Sequence, residues 1–237
     1  MVGTSGWTYD HWKGLFYPQD CPRNRWFEHY ATQFPAVEIN ATFYRAFKDE
    51  TYQKWYTCAP ADFSYVLKAP RTITHRKYLL DAGEEIQAFD RSAALLKDKL
   101  GLILLHIAPS TPYDLDRLKR ALLAFQDPRK VAVGFRHKSW INKETKDLLA
   151  DLGTTFCDTD SPKSELVGWI TSRQVYIRLH GRKRWYSYDY SDEELCEIAE
   201  LIRKAVVQGA ERVYVFFNNE FEGYAPKNAL TLLEILS

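Results

Sequence analysis

Polar residues recur at one place in this chain, the last positions of short apolar segments. Glu38 and Asn40 close VEIN, Lys68 closes SYVLK, His106 closes LILLH, and Arg136 follows VAVGF. Asp158 closes TTFCD, Arg178 and His180 end VYIRLH, and Asn218 ends VYVFFN. Burying so many polar groups is costly unless they pair with each other or meet a ligand. The types are those of a reactive site. Arginine and lysine grip phosphate or carboxylate. Histidine moves a proton near neutral pH, and carboxylates and amides orient it. Glu38 facing Arg136 or Arg178 would equally make a buried ion pair.

Such residues need strands to hold them. Eight strand segments are readable: Val2–Ser5, Ala36–Asn40, Phe63–Lys68, Leu102–Ile107, Val131–Arg136, Thr154–Asp158, Val175–His180 and Val213–Asn218. Side chains alternate across a strand. Val37 and Ile39 suit a helix-covered face, which turns Glu38 and Asn40 to the other side. The same phase turns Ser64, Val66 and Lys68 inward, then Ala132, Gly134 and Arg136, then Tyr176, Arg178 and His180, then Tyr214, Phe216 and Asn218. It also places His106 inside and, on a weaker alternation, Asp158 inside.

Helical segments alternate with the strands. They are expected over Arg25–Phe34, Glu50–Cys58 with Asp49 as cap, Glu84–Lys99, Tyr113–Phe125, Lys143–Leu152 and Ser161–Ser172. Ser191-Asp-Glu-Glu194 reads as a capping box opening a long helix, and Pro226 opens the last one. Eight strand–helix units predict a single α/β domain over residues 1–237, a (β/α)8 TIM-type barrel with its site at the C-terminal strand ends. An open doubly wound sheet would place a glycine-rich phosphate turn after the first strand. GTSG at 3–6 runs instead into Trp7 and Tyr9.

The chain has 237 residues, 46% hydrophobic and 27% charged, enough for a large core. Lysine plus arginine number 32 against 31 acidic residues, for a net charge of +1. This excludes a globally basic nucleic-acid binder but not a local patch. Four widely spaced cysteines without a CxxC pair read as reduced thiols. The start lacks the pattern of a secretory signal, and no apolar run approaches the ~20 residues of a membrane helix. The expectation is a cytoplasmic protein with no membrane contact. Two loops add charge at the strand ends: KAPRTITHRK after the third strand, and HGRKRWYSYDY after the seventh, where basic and aromatic residues interleave.

The stretches GTSGWTYDHWKGLFYP (3–18), VEINATFYR (37–45), LKAPRTITH (67–75), GFRHKSW (134–140), IRLHGR (177–182) and FFNNEFEGYAPKNA (216–229) span the chain in order. In them the sequence resembles the YecE-like family, domain-of-unknown-function family seventy-two. The resemblance implies a TIM-type barrel and no established activity. Two departures stand inside the expected pocket. The family pattern carries an acidic residue where this chain has Gly134, and glutamine where it has His106. Gly134 removes a carboxylate and is expected to leave room; His106 adds a titratable ring.

The expected function is that of an enzyme, or an enzyme-like binder, acting on an anionic small molecule that is phosphorylated or contains a sugar. Lys68, Arg136 and Arg178 would hold the anion. His180 would be the general acid–base, with Glu38 orienting it or serving as partner base. Asn40, Asn218 and Asn219 would bond the substrate, and Trp7 and Tyr44 would wall the pocket. Isomerase, lyase and hydrolase chemistry all stay open, and no organic cofactor is expected. A second reading, by analogy with endonuclease IV-type barrels, is a metal-dependent phosphodiesterase or nuclease with a divalent metal on Glu38, His106, Asp158 and His180. A third is a non-catalytic nucleic-acid-binding module using the RKRWYSY loop.

Overall fold

The computed structural model describes residues 1–237. Eight parallel strands close into a barrel in sequence order: β1 (Val2–Ser5), β2 (Ala36–Ile39), β3 (Ser64–Lys68), β4 (Leu100–His106), β5 (Val131–Gly134), β6 (Thr155–Asp160), β7 (Gln174–Leu179) and β8 (Arg212–Phe217). Closure comes where β1 meets β8, with Val2 opposite Val215 and Thr4 opposite Phe217. Closing the sheet removes every exposed edge.

Outside lie α1 (Trp26–Gln33), α2 (Ala41–Tyr44), α3 (Asp49–Cys58), α4 (Gly83–Ala93), α5 (Leu115–Leu123), α6 (Lys143–Asp151), α7 (Asp192–Val207) and α8 (Tyr224–Leu236). The capping box forms at α7: Ser191 Oγ accepts from the Glu194 N–H, and the Glu194 carboxylate accepts from the Ser191 N–H. Asp49 is the first residue of α3 rather than its cap, which is Lys48; its carboxylate accepts from Ser92 Oγ instead. The helix expected over Glu84–Lys99 ends at Ala93 and continues as tighter turns broken at Lys97, whose φ is 50°. None of the helices is long and apolar enough to cross a membrane.

Residues 161–172 form no helix; β6 and β7 are joined by an irregular segment. Pro162 and Gly168, with φ of 73° at the glycine, interrupt it. The Asp158 carboxylate takes over the backbone donors there, accepting from the N–H of Val167 and Gly168.

Two apolar layers result. Val37, Tyr65, Ile103, Val133, Ile177 and Val215 face the helices. Ala36, Val66, Leu104, Ala132, Cys157, Tyr176 and Phe216 fill the interior. Each buried aromatic or aliphatic side chain here stabilises the barrel by roughly 1.5–3 kcal/mol. The interior plug supports the polar groups above it.

Strand β6 corrects the expected phase. Cys157 stands opposite Tyr176 and Thr159 opposite Arg178, so Cys157 and Thr159 share the inward phase. Asp158 pairs with Ile177 on the helix side.

Candidate functional site

Glu38 and Arg178 form the floor of the strand-end site, both fully buried. Arg178 Nε and Nη2 each donate to one carboxylate oxygen of Glu38 at 2.8 Å. Ser5 Oγ donates to Glu38 at 2.7 Å, and the Tyr176 hydroxyl donates to its second oxygen. Burial opposes ionisation of Glu38, yet the Arg178 charge and these donors outweigh it and hold the carboxyl below its ordinary range. Glu38 therefore has no free lone pair for substrate, and it does not touch His180. Its carboxylate holds the Arg178 guanidinium in place.

His106 lies between two arginines. Arg136 Nε donates to its Nε2 at 3.1 Å, and Arg178 Nη1 stands 3.4 Å from its Nδ1. A neutral imidazole has one acceptor nitrogen. Arg136 takes it, and the longer approach of Arg178 is proximity rather than a second bond. Burial, then Lys68, Arg178 and Arg136, push the His106 pKa well below 6.5. The ring is neutral at pH 7.

Gly134 is the β5 neighbour of His106. A Cβ there would lie 3.4 Å from Cys157 Sγ and 3.5 Å from His106 Cδ2. A Cβ would thus fit beside Gly134 in ordinary van der Waals contact with the thiol and the histidine ring.

Lys68 ends β3 and is 9% exposed. Its Nζ lies 4.3 Å from the centre of the Phe43 ring and forms no hydrogen bond or ion pair within the protein. Burial first, then Arg178 and Arg136 against the opposing pull of Glu38, lower its pKa to about 7. Arg136 is exposed, reaches the Trp185 ring at 5.8 Å and has no carboxylate partner.

His180 follows β7. Its Nδ1 is 2.7 Å from the Asn218 amide nitrogen, while its buried Nε2 has no partner. With that amide donating to Nδ1, Nε2 carries the proton and faces the site as a donor. Burial, Arg178, Arg136 and Lys68 hold the His180 pKa well below 6.5. Trp185 and Tyr186 pack edge-on against the ring. They are placed by Gly181, whose φ of 104° lets the chain turn where a Cβ would collide with Arg184 and Tyr188.

Three more buried polar atoms lack partners near the strand ends, Asn40 Oδ1 after β2 and Asn219 Oδ1 and Glu220 Oε2 after β8. Burial raises the Glu220 pKa. Unpaired buried groups of this kind are costly in an empty site and are relieved by a ligand. A cavity of about 490 Å3 opens at the strand ends on the β4–β7 side, lined by His106, Arg136, Cys157, Asp158, Thr159 and His180 among others. A larger cleft of about 880 Å3 lies between Arg129, Arg173 and Glu211 at the N-terminal strand ends. It lacks the unpaired groups and lies on the face where barrels carry stability rather than chemistry.

Several expected members stand elsewhere. Asn219 is fully buried; its amide nitrogen donates to the Tyr188 carbonyl and Asn228 Oδ1, tying the β8 loop to α8, while its Oδ1 has no partner. The Trp7 ring packs on Phe27 in the layer outside the barrel. Tyr44 is 65% exposed in a neighbouring cleft with Arg45, Arg71 and Arg76. Asp158 does line the cavity, but its carboxylate is taken up by three backbone N–H groups, those of Thr159, Val167 and Gly168. The four residues considered as metal ligands are therefore not brought together, and no group of three or more His, Cys, Asp or Glu is placed to hold a metal ion. In the RKRW loop, Arg182 is tied to Asp160, Glu194 and Glu197. Parity found Glu38, Lys68, His106, Arg178 and His180; it missed Cys157 and Thr159, and Glu220 carried no alternation signal because it lies in a loop.

The sequence over residues 1–237 matches the family described as protein of unknown function DUF72. The chain belongs to this family. A crystal structure of a DUF72 family protein from Thermotoga maritima superposes with a TM-score of 0.89 at 28% identity, covering 99% of this chain and 98% of that one. A DUF72 protein from Enterococcus faecalis gives 0.85 at 23% identity, over 99% and 94% of the two chains. The UPF0759 protein YunF of Bacillus subtilis is 24% identical over 99% of this chain and 94% of its own length. The UPF0759 protein YecE of Escherichia coli K12 is 25% identical over 64% of this chain and 54% of its own. DUF72 thus fixes the fold as a (β/α)8 barrel and assigns no activity.

Proposed function

We propose that this DUF72 protein binds a small anionic molecule, phosphorylated or sugar-containing, at the C-terminal strand ends and acts on it as an enzyme. The observation that carries the reading is an excess of unanswered cation. Glu38 is consumed by Arg178, which leaves Lys68 and Arg136 without a carboxylate partner in a nearly neutral protein. An anion supplies the missing charge. Arg136 reaches it from the rim and Lys68 from the wall, while Arg178 keeps the floor positive. His180 Nε2 donates to the substrate or moves its proton, and Asn218 holds the ring. Asn40 and Glu220 meet the remaining polar groups, and Trp185 covers an apolar or sugar face. A cytoplasmic setting belongs to the same proposal; the four unpaired cysteines support it.

The test is thermal stabilisation by inorganic phosphate and by a panel of sugar phosphates. Wild type is expected to gain melting temperature with an anion, and Lys68→Met and Arg136→Met to lose that gain while remaining folded. Equal gains in wild type and both variants would overturn the assignment.

A further inference from the structure

Lys68 is poorly suited to a role as charge alone. The side chain is 9% exposed at the end of β3, and its nitrogen rests on the face of Phe43 and has no acceptor to hold a proton toward. Thr42 Oγ1 donates to the Lys68 carbonyl at 2.7 Å, which fixes the backbone from which the side chain projects. Arg178 and Arg136 already supply permanent positive charge in the same space. A third cation beside two others repels both unless an anion is present; an uncharged amine does not. Close cations and a desolvating wall are the means by which a lysine is made a nucleophile.

We infer that Lys68 is an amine nucleophile that forms an imine with the carbonyl carbon of a phosphorylated aldehyde or ketone. This rests on the anion reading of the same site. The phosphate sits on Arg136 and brings the carbonyl to Lys68 Nζ. The amine lone pair attacks the carbonyl carbon, and the C=O π pair moves to oxygen. A proton passes from nitrogen to that oxygen, giving a carbinolamine. Loss of the hydroxyl with the remaining N–H proton releases one water and leaves the C=N bond. No oxidant or reductant takes part. His180 Nε2 faces the site as a hydrogen-bond donor to the carbonyl oxygen and then to the departing hydroxyl, keeping its own proton, and its neighbour Asn218 keeps that tautomer. The groups facing Lys68 are Glu38, His75, His106, Cys157, Arg136, Arg178 and His180. Glu38 is bound by Arg178, burial pushes the Cys157 thiol up, and the histidines are held neutral, so no free anion stands among them.

The experiment is reductive trapping at pH 7. Wild type is incubated with glyceraldehyde 3-phosphate and sodium cyanoborohydride, which delivers hydride to the imine carbon and leaves a secondary amine. Peptide mass mapping locates the adduct. The expected result is labelling at Lys68 at least about tenfold faster than at any other lysine, because an ordinary lysine is almost wholly protonated at that pH. Inorganic phosphate is expected to slow it, and unphosphorylated glyceraldehyde to label Lys68 more slowly. Lys68→Arg keeps the charge and is expected to retain anion-induced thermal stabilisation while losing the fast-labelled position. If phosphate esters stabilise wild type and Lys68 labels no faster than surface lysines, the imine proposal falls and the anion reading stands. If neither stabilisation nor labelling occurs, both fall.

Discussion

Glu38 accepts from Ser5, Tyr176 and two nitrogens of Arg178, so its charge is spent within the floor of the site. Removing it strands a buried guanidinium. Glu38→Ala is expected to cost roughly 3–5 kcal/mol of stability in chemical denaturation, the usual penalty for breaking a buried ion pair. A loss below about 1 kcal/mol would mean that the pair is solvated. Lys68 predicts the opposite sign. Its side chain is 9% exposed and its nitrogen has no acceptor within the protein, so Lys68→Met is expected to stabilise the ligand-free protein and to abolish anion binding. That combination marks a residue kept for binding at a cost in stability. Alternation alone put both residues inside. It could not say that Glu38 chooses Arg178 over Arg136, because β2 and β7 are not neighbours and cross-barrel distances are not encoded locally. Trp7 and Tyr44 escape alternation for a related reason: Trp7 lies in a loop and Tyr44 ends the single-turn α2, where no strand period reports direction.

At the scale of elements, β2, β3, β5, β7 and β8 alternate clearly enough to fix their phase, β4 is apolar up to His106, and β6 misleads. Thr155-Phe156-Cys157-Asp158 offers a small, an aromatic, a soft apolar and a charged residue in turn. Reading the charge as inward is the natural choice, yet the pairing with β7 turns Cys157 in and Asp158 out. The outward carboxylate survives because the following segment bends back and donates its backbone N–H groups. The same bonds explain why residues 161–172 remain irregular despite Leu166, Trp169 and Ile170. Asp158→Ala is therefore expected to cost about 1–3 kcal/mol, the penalty of leaving buried donors unpaired, and to speed amide exchange at Val167 and Gly168. Unchanged exchange there would show that other contacts hold the segment. By contrast, the Ser191 box of α7 is a purely local signal and was legible in full.

For the whole molecule, the barrel is legible because closure needs only eight apolar runs in order with helices between them. The site is legible in part, since polar residues at strand ends reveal location but not partnership. Its electrostatics also set a global pH dependence. His106 and His180 are held below 6.5 in the fold, so the unfolded chain binds more protons as pH falls through 6.5, and stability drops. Lys68 is near 7 in the fold against 10.5 ordinarily, so the unfolded chain also holds its proton longer above pH 7, and stability rises there. Unfolding free energy is expected to climb between about pH 5.5 and pH 8, with a shallower slope in His106→Gln below 6.5. A flat profile would contradict neutral burial of both rings.

The most direct measurement compares wild type with Lys68→Met by differential scanning calorimetry at pH 7, with and without inorganic phosphate and glyceraldehyde 3-phosphate. The account predicts that the variant melts higher than wild type without ligand and that only wild type gains stability from the anions. A variant that melts lower and still responds to them as wild type does would contradict it, since Lys68 would then be a structural residue outside the binding site.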